Sequence, residues 1–400
     1  MRILALASWW PEPADNGSRL RIANLLRALA ASHELHLISM AQSPVTAEQQ
    51  ARVRQICASV VAVTQRQARP GPLAPLRSLL PGEPASVRAA WDPDLAALVR
   101  RRAAAVSPEL VVAFQLGMAP YARLIREAPR VLEELELAAM RERYSNERRP
   151  GRRLRAWLTW HKHRSYVQRV LADFDACTVV SDNELALAAE LAPRGLPLVC
   201  VPNGADLAGC VQPWPPPEPD TLVYPGALSY EPNYDAVAFF LTEVMPRIAD
   251  ARPAARLRVT GRIAPGQVAA LPRGRVEFTG YLPDIRPAVA GAWAEVVPLR
   301  KGGGTRLKLL EALALGTPVV STRKGAEGLE LEPGLHLLVA DTSSDFAAAT
   351  VRLLGDPSLR ARLAAAGRQA VRERYDWALI GRRLNTVLEG VARQRAPVWA

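Results

Sequence analysis

The 400-residue sequence has few cysteines, few lysines and no long apolar run. No stretch of 18 uncharged apolar residues occurs, which excludes a transmembrane helix. The four cysteines, Cys57, Cys177, Cys200 and Cys210, form no close pair. That argues against a disulfide framework or a thiolate metal site and for reduced core thiols. The five histidines show no ligand spacing; His161 and His163 are two apart and would leave a helix on different faces. There is no Gly-x-Gly-x-x-Gly fingerprint and no Gly-Lys-Ser/Thr phosphate loop, which weakens dehydrogenase and NTPase readings. The Asp-x-Asp string Asp92-Pro93-Asp94 opens a helical pattern and is read as structural. At the N-terminus a short apolar run meets Trp9, Trp10 and Pro11 where a signal peptide needs small residues, so Arg2–Ser8 reads as a first strand in a cytoplasmic protein.

What is abundant is arginine: 47 residues against four lysines, within a net charge of +12. A composition so rich in Ala and Arg says little about partners by itself. The distribution says more. Residues 141–164 hold nine basic side chains against two glutamates, and outside that run residues 1–210 are neutral overall. A localised patch with Leu154, Trp157, Leu158 and Trp160 beside it suits an anionic membrane surface. Nucleic acid would require stacking aromatics along a basic groove, which Trp157, Trp160 and Tyr166 only partly supply, so no nucleic-acid partner is expected.

Strand and helix signals alternate throughout, which predicts an α/β chain with parallel sheets. Strands are expected at Arg2–Ser8, Glu34–Met40, Ser59–Thr64, Leu110–Phe114, Arg130–Glu133, Ala176–Val180 and Pro197–Val201. The helical patterns between them include Arg19–Ala31, Ala119–Glu127 and Arg152–Leu171. Arg66 to Ala90, rich in Pro and Arg, reads as an irregular insertion. Five prolines within 212–219 read as a stiff linker. The expected organisation is a first domain at 1–211, a linker at 212–220, a second βα domain at 221–375, and a terminal helical segment at 376–400 that returns to the first domain. Two such Rossmann-like halves would face each other across a cleft at the carboxyl ends of their strands.

The strongest local signal is Val296 to Val320. An apolar strand runs into Gly302, Gly303 and Gly304; Thr305 is placed to cap a helix beginning at Arg306. Glycines admit a ligand to the backbone, and free N–H groups at the helix start point at it. Lys301, Arg306 and Lys308 add positive charge suited to a diphosphate. Glu311, one turn into the helix, could accept hydrogen bonds from two sugar hydroxyls. The bland alternative is a flexible loop with a Lys308–Glu311 surface pair. Asp15-Asn16-Gly17-Ser18-Arg19 after the first strand, and Val201-Pro202-Asn203-Gly204-Ala205-Asp206, are weaker signals, each an ordinary turn when taken alone.

Taken together and in order, these segments resemble the GT-B fold glycosyltransferases of the large group 1, or GT4-like, family. The resemblance rests further on Phe278-Thr279-Gly280-Tyr281-Leu282-Pro283-Asp284 and on Gly316-Thr317-Pro318-Val319-Val320-Ser321-Thr322. It implies a nucleotide-sugar as co-substrate, with no other cofactor and no metal. It implies donor contacts at Gly17, Tyr281, Leu282, Gly302, Gly303, Gly304, Thr305 and Glu311, with Glu311 on the ribose; Arg262 after Val259-Thr260-Gly261 is a further candidate. The chain departs from the family in two places. Gly303 stands where a second glutamate is common. Gly226 to Asn233 replaces the usual Arg…Lys pair, so Arg306 and Lys308 are expected to take over the diphosphate. This matches a subset with a Gly-Gly-Gly-Thr-Arg-Leu-Lys donor loop.

The reaction so implied is transfer of a sugar to a hydroxyl with retention, the departing diphosphate being stabilised by protein cations and helix N–H groups. Gln115, Glu133 and Glu136, at strand ends of the first domain, are the acceptor-side candidates. The acceptor is a sugar, a glycan or a lipid-linked molecule, and the enzyme is expected to be peripheral on the inner membrane face. Two other readings stay open: a sugar-nucleotide epimerase of the same fold, and a non-catalytic nucleotide-sugar or nucleic-acid binding protein.

Overall fold

The computed structural model describes residues 1–65, 84, 87–88, 91–211, 213–264, 266–304 and 306–395. The expected insertion at Arg66–Ala90 therefore lies outside the described residues except for Pro84, Val87 and Arg88, and so does Thr305. The chain divides into two units. One is Met1–Pro202 with the helical segment that starts at Ala378; the other is Asn203–Trp377.

The first unit is a seven-stranded parallel sheet of β1 (Arg2–Ala7), β2 (Glu34–Ala41), β3 (Ser59–Thr64), β4 (Leu110–Phe114), β5 (Arg130–Glu133), β6 (Ala176–Val179) and β7 (Leu198–Cys200), in the order β3-β2-β1-β4-β5-β6-β7. Ile3 to Ala7 and Leu110 to Phe114 are buried without alternation. Both faces of the sheet are thus covered, as a sheet with crossover helices requires. The helix Gly17–Ala30 shows how the sequence builds this. Asn16 caps it by accepting from the Arg19 N–H at 3.0 Å. Ile22, Leu25, Leu26 and Leu29 bury one face at i, i+3, i+4 and i+7. From Ala378 the last helix, Trp377–Arg395, buries Ile380, Leu384, Leu388 and Val391. Gly381 lets that helix lie against Ala28, whose Cβ a side chain at 381 would overlap.

The second unit is a six-stranded parallel sheet of β8 (Glu218–Pro225), β9 (Arg256–Thr260), β10 (Val276–Gly280), β11 (Ala292–Val297), β12 (Val319–Ser321) and β13 (Leu338–Val339), in the order β10-β9-β8-β11-β12-β13. Two expectations are corrected here. The division falls between Pro202 and Asn203, not in the proline run. Asn203 to Asp206 joins the second unit because the Ala205 N–H donates to Tyr375 O at 2.7 Å and Gly204 sits against the same carbonyl. The supposed linker also contributes a strand: Glu218 begins β8, with its N–H on Gly291 O at 2.8 Å and its carboxylate beside Arg258 at 3.2 Å.

Helix limits differ in three places. The helix expected at Ala119–Glu127 is only Ala119–Ala122, followed by turns at Leu124 and Ile125 that lead into β5. A helix at Ala138–Asn146 has no strong local signal. Its first N–H groups, at Leu137 and Ala138, are held by the distant Glu184 carboxylate at 2.6 and 3.0 Å. The helix expected from Arg306 begins at Leu307. Arg306 stands at its N-cap with φ −83° and ψ 73°, because its side chain is drawn back onto the preceding loop. Among the described residues no helix is long and apolar enough to cross a membrane.

Candidate functional site

In the second unit the strand order reverses between β8 and β11, and ligands of open parallel sheets bind at such a point, beyond the carboxyl ends of the strands. The loop from Gly226 leaves β8 there, and the loop Pro298–Gly304 leaves β11. Gly302 adopts φ +100°, and a Cβ on it would meet Pro232 Cγ at 3.0 Å. Gly261, following β9, adopts φ +116° and lies so close to Gly226 that a Cβ would meet its carbonyl carbon at 2.6 Å. Three loops are thereby gathered at one edge by the close approach of these two glycines to their neighbours.

The cations of this edge differ in how they are engaged. Lys301 pairs with Glu231 and, at 3.1 Å, with Asp235. Arg300 binds Asp235 through two hydrogen bonds of 3.1 and 2.9 Å. Arg306 is buried, and its guanidinium donates to Gly302 O and Gly303 O at 2.6 Å each and to Lys324 O at 3.3 Å. It therefore clasps the glycine loop. Lys308 donates to Asn233 Oδ1 at 3.1 Å and lies 3.9 Å from the Tyr224 ring centroid. Burial pushes Lys308 down to about 7; Glu295 opposes the shift and Arg306 adds to it.

Glu311 is one turn along the helix Leu307–Leu315, partly buried, with no hydrogen-bond partner among the described residues. Burial pushes its carboxyl up to about 7; Arg286 opposes this, and Asp284 and Asp206 reinforce it. A carboxylate so placed can accept two hydroxyl hydrogen bonds. Arg262 and Tyr281 meet as a cation–π pair at 4.9 Å, with the Tyr281 ring 49% exposed. Leu282 follows, partly buried. The structure thus brings Gly302, Gly303, Gly304, Arg306, Lys308 and Glu311 to one strand end and the helix that follows. Arg262, Tyr281 and Leu282 lie at the ends of the neighbouring β9 and β10.

The first unit has its own reversal between β1 and β4. Gly17 opens the helix after β1 and is exposed. Gln115, at the end of β4, donates to Ser18 Oγ at 2.9 Å and to Glu134 Oε2 at 2.8 Å. Glu133 is fully buried: Arg21 donates to it through Nε at 3.0 Å and through Nη2, and Thr178 donates at 3.4 Å. Glu136 is exposed. The intervening Glu134 holds the unusual position. It is buried, and both it and Gln115 have left-handed φ, +64° and +70°. Burial pushes Glu134 up to about 8, with Arg21 opposing and Glu133 adding to the rise. Strain of this kind at strand ends marks positions where geometry is imposed by the surroundings.

Residues 219–356 match the profile of the family described as Glycosyl transferases group 1. The second unit is a group 1 glycosyltransferase domain. The chain is 34% identical over 165 residues to a phosphatidyl-myo-inositol mannosyltransferase of Mycobacterium leprae, covering 40% of this chain and 44% of that protein. It is 31% identical over 166 residues to a GDP-mannose-dependent monoacylated alpha-(1-6)-phosphatidylinositol monomannoside mannosyltransferase of Corynebacterium glutamicum, covering 38% and 44%. The chain thus spans less than half the length of these curated relatives. In fold it resembles Anabaena HepE, solved with UDP and glucose, at a TM-score of 0.66 and 15% identity over 98% of this chain and all of that one. Sucrose-phosphate synthase of Thermosynechococcus elongatus is equally similar, with a TM-score of 0.66, 18% identity, and 98% and 100% coverage. The two-sheet α/β architecture is the Rossmann-like GT-B fold of these proteins.

Within the glycosyltransferase domain, sequence reasoning passed over Tyr224, Asn233 and Glu295. Asn233 was in view only as part of the segment that replaces the family's Arg…Lys pair. Glu295 carried a signal, a single charge inside the apolar run Ala292–Val297. In the first unit Glu134 was missed between two named neighbours, since nothing local distinguishes it from them.

Proposed function

We propose that this protein is a retaining glycosyltransferase that moves a sugar from a nucleotide-sugar to a hydroxyl acceptor without a metal. The observation that carries the reading is the pairing, at one strand-order reversal in a group 1 domain, of a glycine loop and Lys308 with a carboxylate at Glu311 that has no hydrogen-bond partner among the described residues. In this reading Lys308 and the backbone N–H groups around Gly302, Gly303 and Gly304 receive the diphosphate. Arg306 holds the loop open for it, and its positive charge adds to the field there. Glu311 takes the ribose hydroxyls, and Arg262, Tyr281 and Leu282 flank the base. In this reading Gly17 is a further donor contact. The acceptor hydroxyl gives its proton to the leaving phosphate oxygen on the face from which it attacks. Gln115, with Glu134 beside it, orients the acceptor, and Glu133 and Glu136 complete that edge.

The relatives' names point to a lipid-linked polyol as the acceptor class and to GDP-mannose as the first donor to try. The basic run supports a membrane-facing acceptor. Its helix Pro150–Leu171 buries Trp160 and Tyr166 while Leu154 is 59% and Trp157 39% exposed, beside Arg148, Arg149, Arg152 and Arg153. Such a surface suits the anionic inner face of a membrane, where each basic residue contributes about 1 kcal/mol. The test is nucleotide release from GDP-mannose, UDP-glucose and related donors, with and without phosphatidylinositol vesicles. Release that depends on the vesicles, with activity retained in EDTA, is the expected result. Full inhibition by EDTA reversed by Mg²⁺ refutes the metal-free scheme. Conversion of a sugar nucleotide to its epimer, or binding without turnover, refutes transfer.

A further inference from the structure

Most cations at the glycine loop are already neutralised or tied down. Lys301 and Arg300 share Asp235, and Arg306 serves three backbone carbonyls. Lys308 is different. Among the described residues its Nζ has one hydrogen-bond acceptor, Asn233 Oδ1, and forms no ion pair. The carboxyl that acts on it most strongly, Glu295, is fully buried on β11 with both oxygens unpartnered, and burial holds Glu295 well above the usual carboxylate range. No hydrogen bond or ion pair joins Glu295 to Lys308 among the described residues. The lysine therefore stands at a strand-order reversal without an anion of its own.

Its position is nonetheless tightly specified. The Tyr224 hydroxyl donates to Asn233 Oδ1 at 2.7 Å, and Asn233 Nδ2 donates to Ala227 O at 3.0 Å. The amide is thus oriented by a donor on one side and an acceptor on the other, and its oxygen is turned to the lysine. The Tyr224 ring face lies beneath the Nζ, 3.9 Å from centroid to nitrogen. A Cβ on Gly226 would come within 2.8 Å of that Nζ and of Asn233 Nδ2, so a side chain there would displace both groups.

We propose that Asn233 and Tyr224 are positioning residues that hold Lys308 for the diphosphate of a nucleotide, and that this lysine takes up a proton from solvent when the diphosphate binds. The proposal rests on the donor-site reading above. The balance is simple: a neutral amine and one proton from the buffer become an ammonium, and the bound diphosphate supplies the missing anion. No bond to the ligand forms. With burial pushing Lys308 down to about 7, the amine is largely neutral near pH 8 and largely charged near pH 6 before ligand arrives. The groups that act on it are Glu295 from β11, Tyr224 from β8, Asn233 from the helix after β8, and Arg306 from its own helix start. Glu311, one turn further, titrates near the same pH and needs its own control.

The experiment is calorimetric titration of the full chain with GDP and with UDP, in two buffers of different ionisation enthalpy. The expected result is uptake of roughly one proton per nucleotide near pH 8, falling toward zero near pH 6. Lys308→Met should remove the uptake and weaken binding roughly tenfold or more. Asn233→Asp gives the lysine a permanent counter-ion, so uptake near pH 8 should disappear while the fold is retained. If that variant does not fold, Lys308→Met and the wild type still decide. Glu311→Gln should leave the uptake in place. Uptake that survives Lys308→Met, or vanishes in Glu311→Gln, overturns the proposal. Binding with buffer-independent heat overturns it alone and leaves the donor site standing. Absence of nucleotide binding overturns both.

Discussion

Replacing Glu311 by Gln should stabilise the ligand-free protein while weakening its grip on a nucleotide. In the unfolded chain this carboxyl ionises near 4.5; in the fold, burial raises it to about 7. Above about pH 7 both states are ionised, and the folded state carries a buried negative charge with no hydrogen-bond partner among the described residues. The rise from 4.5 to about 7 corresponds to ~3 kcal/mol, which partial exposure reduces to about 2 kcal/mol. Below about pH 4.5 both states are protonated and the cost vanishes, so stability from this group falls as pH rises through the interval. A neutral amide of the same shape removes the cost. Glu311→Gln should therefore melt about 4–8 °C above wild type near pH 8, and at the same temperature as wild type near pH 4.5. The same change replaces a charged hydrogen-bond acceptor, which should cost about 1.5–3 kcal/mol of GDP or UDP affinity. Thermal melts at both pH values and calorimetry near pH 8 read the two halves. A variant that melts lower than wild type near pH 8 would show that Glu311 has a partner in solution. Unchanged nucleotide affinity would remove it from the ribose.

Three other outcomes are expected. Arg306→Ala should lower the melting temperature through the loss of hydrogen bonds to three carbonyls, at about 1–3 kcal/mol, and Arg306→Lys should not restore it because one ammonium cannot span that fork; full stability in either variant would deny the clasp. Gly381→Val should destabilise the first unit by about 1–3 kcal/mol in chemical denaturation, since its side chain overlaps Ala28. Vesicle flotation should recover the wild type with anionic but not neutral lipid at low salt, and replacing Arg148, Arg149, Arg152 and Arg153 by Ser should abolish the difference.

Much of the donor edge was legible because its parts are adjacent in sequence. An apolar strand, a glycine run, four cations and a glutamate within 296–311 can be placed on one strand end and one helix by spacing alone. The roles within that set were not legible. Lys301, Arg306 and Lys308 look alike in sequence. Asp235 and Glu231, some 70 residues earlier, neutralise the first; the carbonyls of Gly302, Gly303 and Lys324 occupy the second. The third is left with Asn233, about as distant in the chain, as its acceptor. Glu134 was invisible for a related reason, since its burial, its left-handed backbone and its bond to Gln115 all come from elements far from it.

The sequence by itself determined the strands, with limits within a residue or two for most of them, because continuous apolar runs bounded by turn residues can hardly form anything else in an α/β chain. It also determined the phase of the helix Gly17–Ala30, whose cap and buried stripe are written at short range. Tertiary structure alone decided where the chain divides, because the Ala205–Tyr375 bond joins residues 170 apart. It decided that Ala138–Asn146 is helical, since the capping carboxylate is Glu184. And it decided which lysine waits for an anion, because a charge is spent or kept according to what stands beside it in space, and neighbours along the chain do not record that.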